Sequence, residues 1–129
     1  MTTTTQDACP FCEIFAGRGD AEIVRSWLGS STPALAIRPL DPVTPGHTLV
    51  IPAAHVPDFT SEPHVTAITM AFAAQLAAES PDAMNLITSR GVAATQSVFH
   101  LHVHLIPRHE GDGLALPWYS GKSRKAVPA

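Results

Sequence analysis

Cysteine, basic charge and long apolar runs are all scarce in this chain, and each scarcity removes a class of protein. Two cysteines in 129 residues are too few for a disulfide framework. Eight Lys and Arg against 11 Asp and Glu leave a net charge of -3, with a small Lys122, Arg124, Lys125 cluster near the end of the sequence. That balance offers no basic face for a nucleic-acid backbone, so no nucleic-acid partner is expected. No stretch reaches the ~18 apolar residues of a membrane span. Met1 and the threonines after it lack the basic and apolar blocks of a signal peptide, so the expected location is cytoplasmic, with no membrane partner. The absence of a Gly-x-x-x-x-Gly-Lys-Ser/Thr stretch excludes phosphate binding by that loop, and there is no internal repeat.

What remains is a chain with 45% hydrophobic residues, enough to bury the core of one domain. Residues 1–8 are small and polar and read as a disordered tail. Phe11, Ile14 and Phe15 give a short helical face ended by Gly17 and Gly19, and Ile23 to Trp27 reads as a first strand. Ala34 to Arg38 and Thr48 to Ile51 follow as strands, joined by the proline-rich loop Pro39 to Gly46, which delivers His47 to a strand start. Thr60 or Ser61 is placed to cap a helix running to about Ser80, with Val65, Ile68, Phe72 and Leu76 along one face. Met84 to Ser89 and Val98 to Ile106 complete the strands, and 120–129 reads as an irregular tail. Short connections and one substantial helix predict an α+β fold, an antiparallel sheet of about five strands with one main helix and a short N-terminal helix.

The chemistry concentrates in Gln96-Ser97-Val98-Phe99-His100-Leu101-His102-Val103-His104-Leu105-Ile106-Pro107. Histidine alternates there with apolar residues at a period of two, which is the period of a strand. All three imidazoles then share one face, and Phe99, Leu101, Val103 and Leu105 the other. Residues two apart on a strand are roughly 6 to 7 Å apart, so one metal does not easily hold all three rings. Histidine suits reactions at phosphorus: its neutral ring nitrogen is nucleophilic near pH 7, and the phosphoramide it forms is labile. Such a nucleophile needs its other ring nitrogen pinned by a carbonyl, and the middle residue, His102, is the best flanked.

This segment resembles the signature of the histidine triad nucleotide-binding (HIT) family, His-φ-His-φ-His-φ-φ with φ apolar, in its Hint-like branch. Pro45-Gly46-His47-Thr48-Leu49-Val50-Ile51-Pro52 is similar to that family's Pro-Gly-His-φ-Leu-φ-φ-Pro segment, and Cys9-Pro10-Phe11-Cys12-Glu13-Ile14 to its usual start. The resemblance covers 9–119 and implies a HIT-like fold, a homodimer, and a nucleotide of AMP or GMP type as substrate. It further implies hydrolysis or transfer of the α-phosphate through a nucleotidylated His102, with His104 contacting phosphate or leaving group and the His100 carbonyl orienting His102. Gln96 and Ser97 would donate hydrogen bonds to phosphate. The family's ribose-gripping Asp has Leu40 at its expected position, with Asp41 beside it as the substitute. Ser89 stands where many relatives have Asn, and Thr95 where a Gly is usual.

Cys9 and Cys12 have the spacing of half a tetrahedral zinc site, which needs two further ligands, and the sequence offers His47 and His100. Some similar proteins bind zinc through such a set, which implies a structural Zn2+ on Cys9, Cys12, His47 and His100. A redox role would want the pair at the end of a strand, yet only eight polar residues precede Cys9. His55, His64 and His109 lie outside the motifs and read as surface or capping residues; Trp27, Trp118 and Tyr119 read as packing residues. The leading function is cleavage of nucleoside phosphoramidates or nucleotidyl esters, as by an adenosine phosphoramidase. A dinucleoside polyphosphate hydrolase or phosphorylase, a nucleotide-binding regulatory module and a zinc-stabilised interaction protein are the alternatives.

Overall fold

The computed structural model describes residues 9–116. The two expected tails, 1–8 and 120–129, and with them Trp118 and Tyr119, lie outside the described residues. Five strands, β1 (Ile23–Trp27), β2 (Ala34–Ile37), β3 (Thr48–Pro52), β4 (Ala83–Ile87) and β5 (Val103–Arg108), form one antiparallel sheet in the order β1-β2-β3-β5-β4. Helices α1 (Pro10–Phe15) and α2 (Pro63–Ala77) complete the expected α+β architecture. No helix among the described residues is long and apolar enough to cross a membrane.

Alternation along the strands sends the two helices to opposite faces. Leu35, Ile37, Leu49 and Ile51 form one core with Cys9 and Phe11 of the α1 region. Ala36, Val50, Val103 and Leu105 form the other, against Ala73 and flanking residues of α2. The buried stripe of α2 is Val65, Thr69 and Ala73, rotated from the expected one because small residues allow the helix to lie close on the sheet. Its N-cap is Glu62, without a side-chain bond, whereas Thr60, one of the expected caps, donates its backbone N–H and its hydroxyl to the Asp58 carboxylate. That local turn satisfies Thr60 before the helix begins.

The histidine strand is shorter than its alternation predicts. β5 begins at Val103, so His100 and His102 lie on the segment entering it. The pairing of β5 with β3 runs Thr48↔Leu105, Leu49↔His104, Val50↔Val103 and stops there. Beyond it the Leu101 N–H donates to the Val56 carbonyl at 2.7 Å, and the His100 carbonyl receives a ring N–H of His102. These bonds replace the ladder, so the backbone groups are satisfied without a strand. Gly46, with φ +89°, makes the turn into β3; a Cβ there would stand 3.1 Å from the Pro107 ring, so the close approach requires glycine.

Candidate functional site

Two groups of histidines form, one on the segment entering β5 and one alongside the β3–β5 pair. At the start of β5, Cys9 caps α1 and Cys12 lies within its first turn, so the helix presents both sulfurs to one point. Cys9 Sγ lies 3.4 Å from His100 Nδ1, Cys12 Sγ 3.6 Å from the same nitrogen and 3.2 Å from His55 Nδ1. The two Nδ1 atoms are 3.1 Å apart, and all four donor atoms lie within 4.8 Å of one another. Around zinc, with sulfur at about 2.3 Å and nitrogen at about 2.0–2.1 Å, the edges of a tetrahedron are roughly 3.3–3.8 Å. The four residues therefore fit a tetrahedral metal ion.

The surroundings support that fit. His100 is fully buried, and its Nε2 lies 2.8 Å from the Pro52 carbonyl. A carbonyl only accepts, so Nε2 carries the proton and the Nδ1 lone pair faces the cluster. Burial lowers His100 to about 4, which keeps the ring neutral and able to ligate. Burial, reinforced by Cys9 and Glu13, pushes the Cys12 thiol up to about 11, a proton that a bound cation would displace. His47 is not in this group. β3 runs antiparallel to β5, so the residue before β3 lies at the far end of β5 while the segment after β3 returns to His100. The fourth residue of the cluster is thus His55, expected to be an ordinary surface or capping histidine, and not His47.

Alongside the pair, His47, His102 and His104 form a connected array. His104 pairs with Leu49 on the α1 face of the sheet. His102 Nδ1 lies 2.7 Å from the His100 carbonyl, so Nδ1 carries hydrogen and Nε2 keeps a lone pair. The Val43 N–H donates to His47 Nδ1 at 3.1 Å, which places the His47 proton on Nε2. That Nε2 is 3.0 Å from His104 Nδ1, which must accept, leaving the His104 proton on its own Nε2. Burial lowers His47 and His102, the latter against its bond to the His100 carbonyl; burial and the charges of its two histidine neighbours lower His104 to about 4. The array is neutral at pH 7, with one nucleophilic nitrogen on His102 and one N–H donor on His104.

Both rings open into a cavity of about 690 Å³ between α1, the loop before β1 and the loop before β3. Phe11, Ile14, Ile37, Leu49 and Val98 give it apolar walls, and Ser97 lies beside His102. Leu40 and Asp41 stand on its rim, Leu40 with its side chain 95% exposed. Asp20, a carboxylate that no sequence motif had singled out, also lines the cavity. Gln96 is committed elsewhere: its amide donates to the Pro57 carbonyl at 2.7 Å and the Val98 carbonyl at 3.1 Å, and accepts from the Gly91 N–H at 2.8 Å. Both amide hydrogens brace the loop, which leaves neither for the phosphate-donor role expected of Gln96. Ser89 lines a separate cavity beyond His104, with Thr95, whose φ of +72° explains why glycine suits that position.

A sheet that presents paired neutral imidazoles to a nucleotide-sized cavity defines a class of proteins, and comparison places the chain within it. The HIT domain signature matches residues 20–111. The chain belongs to the HIT family, a superfamily of nucleotide-binding hydrolases and transferases. It is 33% identical to the adenylylsulfatase HINT3 of Arabidopsis thaliana, a match that takes in 96% of this chain but only 62% of that longer protein. A zinc-bound histidine triad family protein from Mycobacterium smegmatis is 38% identical, with 85% of this chain and 81% of that one covered and a TM-score of 0.71. A HIT family hydrolase from Clostridium thermocellum is 29% identical, covering 80% and 92% of the two chains, with a TM-score of 0.68.

Proposed function

We propose that the chain cleaves the α-phosphate of nucleoside phosphoramidates or nucleotidyl esters through a nucleotidylated His102. The observation that carries this is the 2.7 Å bond from His102 Nδ1 to the His100 carbonyl, which turns the Nε2 lone pair toward the 690 Å³ cavity. In the first half-reaction that lone pair attacks phosphorus and the bond to the leaving atom breaks. A phosphoramidate nitrogen that enters protonated leaves with the bonding pair as a neutral amine, and an ester oxygen leaves with the bonding pair and takes a proton from solvent to become an alcohol. Water then attacks phosphorus and gives its proton to solvent, and the electrons of the P–N bond return to His102. The His104 Nε2–H donates to a phosphoryl oxygen as charge develops, the task of a neutral imidazole electrophile. Asp41 and Asp20, which both line the cavity, are the carboxylates available to the ribose hydroxyls.

The Cys9, Cys12, His55 and His100 set holds Zn2+ in this reading. Four protein ligands leave no open position, so the ion is structural, tying α1 to the segment that carries His102. The zinc-bound relative supports that assignment. Edge strand β4 leaves Leu86 exposed beside its unpaired backbone groups, an edge suited to a second copy of the chain, and we assign a homodimer on that ground.

The test is His102→Ala against a fluorogenic adenosine phosphoramidate, with acid quenching of the native chain during turnover. Loss of turnover with retained AMP binding, and a nucleotidyl mass increment on the peptide holding His102, support the assignment. Undiminished activity in the variant would remove His102 as nucleophile. Faster turnover of diadenosine polyphosphates would favour the dinucleotide hydrolase instead.

A further inference from the structure

A second cavity, of about 270 Å³, adjoins the nucleotide-sized one at His47 and His104. His47, His104 and Val43 line both cavities, whereas His102 lines only the larger. In a displacement at phosphorus the attacking and leaving atoms stand roughly in line. With His102 attacking from one side and His104 on a phosphoryl oxygen, the leaving group points past His104 into the smaller cavity.

The chemistry of that cavity is specific. Ile87, Ile106, Leu114 and Leu116 give it apolar walls, and Ser89 and Thr95 are neutral. Its one cation among the described residues, Arg108, commits four of its five N–H donors within the protein. Arg108 Nε and one terminal nitrogen meet the two Asp112 oxygens at 2.8 and 3.0 Å; the other donates to Asn85 Oδ1 at 2.8 Å, and the first also reaches the Leu114 carbonyl at 2.9 Å. The Asp112 carboxylate neutralises the guanidinium, and the clamp fixes the loop that supplies Leu114. A pyrophosphate or sulfate leaving group would enter without a free positive charge to receive it, which is unfavourable in an apolar setting.

We infer that the cavity lined by Ile87, Leu114 and Leu116 is a leaving-group subsite that selects uncharged, apolar amines or alcohols over anionic leaving groups. This inference rests on the nucleotidyl-transfer reading and narrows its substrate class. An amine released from a protonated phosphoramidate nitrogen departs neutral, so cleavage leaves no net charge on the released group.

The test uses binding as well as turnover, so that the two readings fail separately. Affinities of the full chain for non-hydrolysable adenosine and guanosine 5′-alkylphosphonates are measured with methyl, hexyl and carboxypentyl tails. The expected order is hexyl tightest, about tenfold over methyl from partial burial of the extra methylenes, and carboxypentyl weakest. Leu116→Lys should erase the hexyl advantage and improve the carboxypentyl ligand. Equal affinity for all tails, tighter binding of the carboxylate, or no binding of any of them would overturn the subsite. Hexyl preference without turnover of the matching hexylamidate would leave the subsite standing and remove the nucleotidyl-transfer reading. Turnover of amidates with no dependence on the amine would do the reverse.

Discussion

His47 Nε2 and His104 Nδ1 stand 3.0 Å apart although 57 residues separate them in the chain. Because the Val43 N–H occupies the other nitrogen of His47, the contact fixes where the proton of each ring lies. Adding a second proton to His104 at Nδ1 would force one onto His47 Nδ1, against the Val43 N–H. The pair therefore locks His104 as a neutral donor.

Removing that lock should show first in the tautomer. In His47→Leu the ¹⁵N shifts of His104 should move from the Nε2–H form toward a mixture, and kcat should fall about 10- to 100-fold with KM less affected. An unchanged tautomer in the variant would mean that His104 is oriented by something other than His47.

The metal assignment separates two histidines that the sequence does not. His55→Ala should abolish stoichiometric zinc on the purified chain and lower Tm, whereas His47→Ala should keep the zinc while impairing turnover. Emission spectroscopy on the two variants checks this. Zinc retained in His55→Ala and lost in His47→Ala would restore the ligand set expected from sequence.

Stability should fall as the pH drops from about 6.5 toward 4. His104 has a folded value of about 4 against an ordinary one near 6.5, so in that window the unfolded chain binds the proton more strongly. Its contribution is complete above the window and gone below it, on the order of 2–3 kcal/mol. His47, also lowered by burial, adds in the same direction. Asp112, held below the usual carboxylate range by Arg108, loses its contribution only at more acid pH. Thermal melts from pH 8 to 4 should slope downward on the acid side, and His104→Asn should flatten the slope. A Tm that rises on acidification through this window would contradict the buried neutral array.

Thr95→Gly should stabilise the chain. A β-branched residue in the left-handed region is strained by about 1–2 kcal/mol, and relief is partly offset by the flexibility of an unfolded glycine. The expected net gain is about 0.5–1 kcal/mol, read as a rise of a few degrees in Tm. A lower Tm would show that the Thr95 side chain contributes more than its backbone strain removes.

Much of this was legible in the chain. The five strands and the main helix follow from apolar period and turn residues, because burial on one face writes itself into local spacing. The ends were less so. Alternation continues through His100 and His102, but the Leu101 N–H between them donates to a loop carbonyl and the two histidine carbonyls accept from the side chains of His102 and Thr88. Gln96 likewise has the composition of a phosphate donor, yet the fold commits both of its amide hydrogens to carbonyls.

What the sequence by itself determined is the chemical inventory and its local order: imidazoles at a period of two, a Cys-x-x-Cys pair, and a glycine turn ahead of His47. Those are properties of spacing, and spacing survives without a fold. Which histidine joins which group was decided by the antiparallel pairing of β3 with β5, which sends the start of β3 to the end of β5. That crossing brings His47 to His104 and leaves His55 with Cys9, Cys12 and His100. Proton placement came later still, because a tautomer depends on the hydrogen-bond partner of the other ring nitrogen, and these partners meet only in the folded chain.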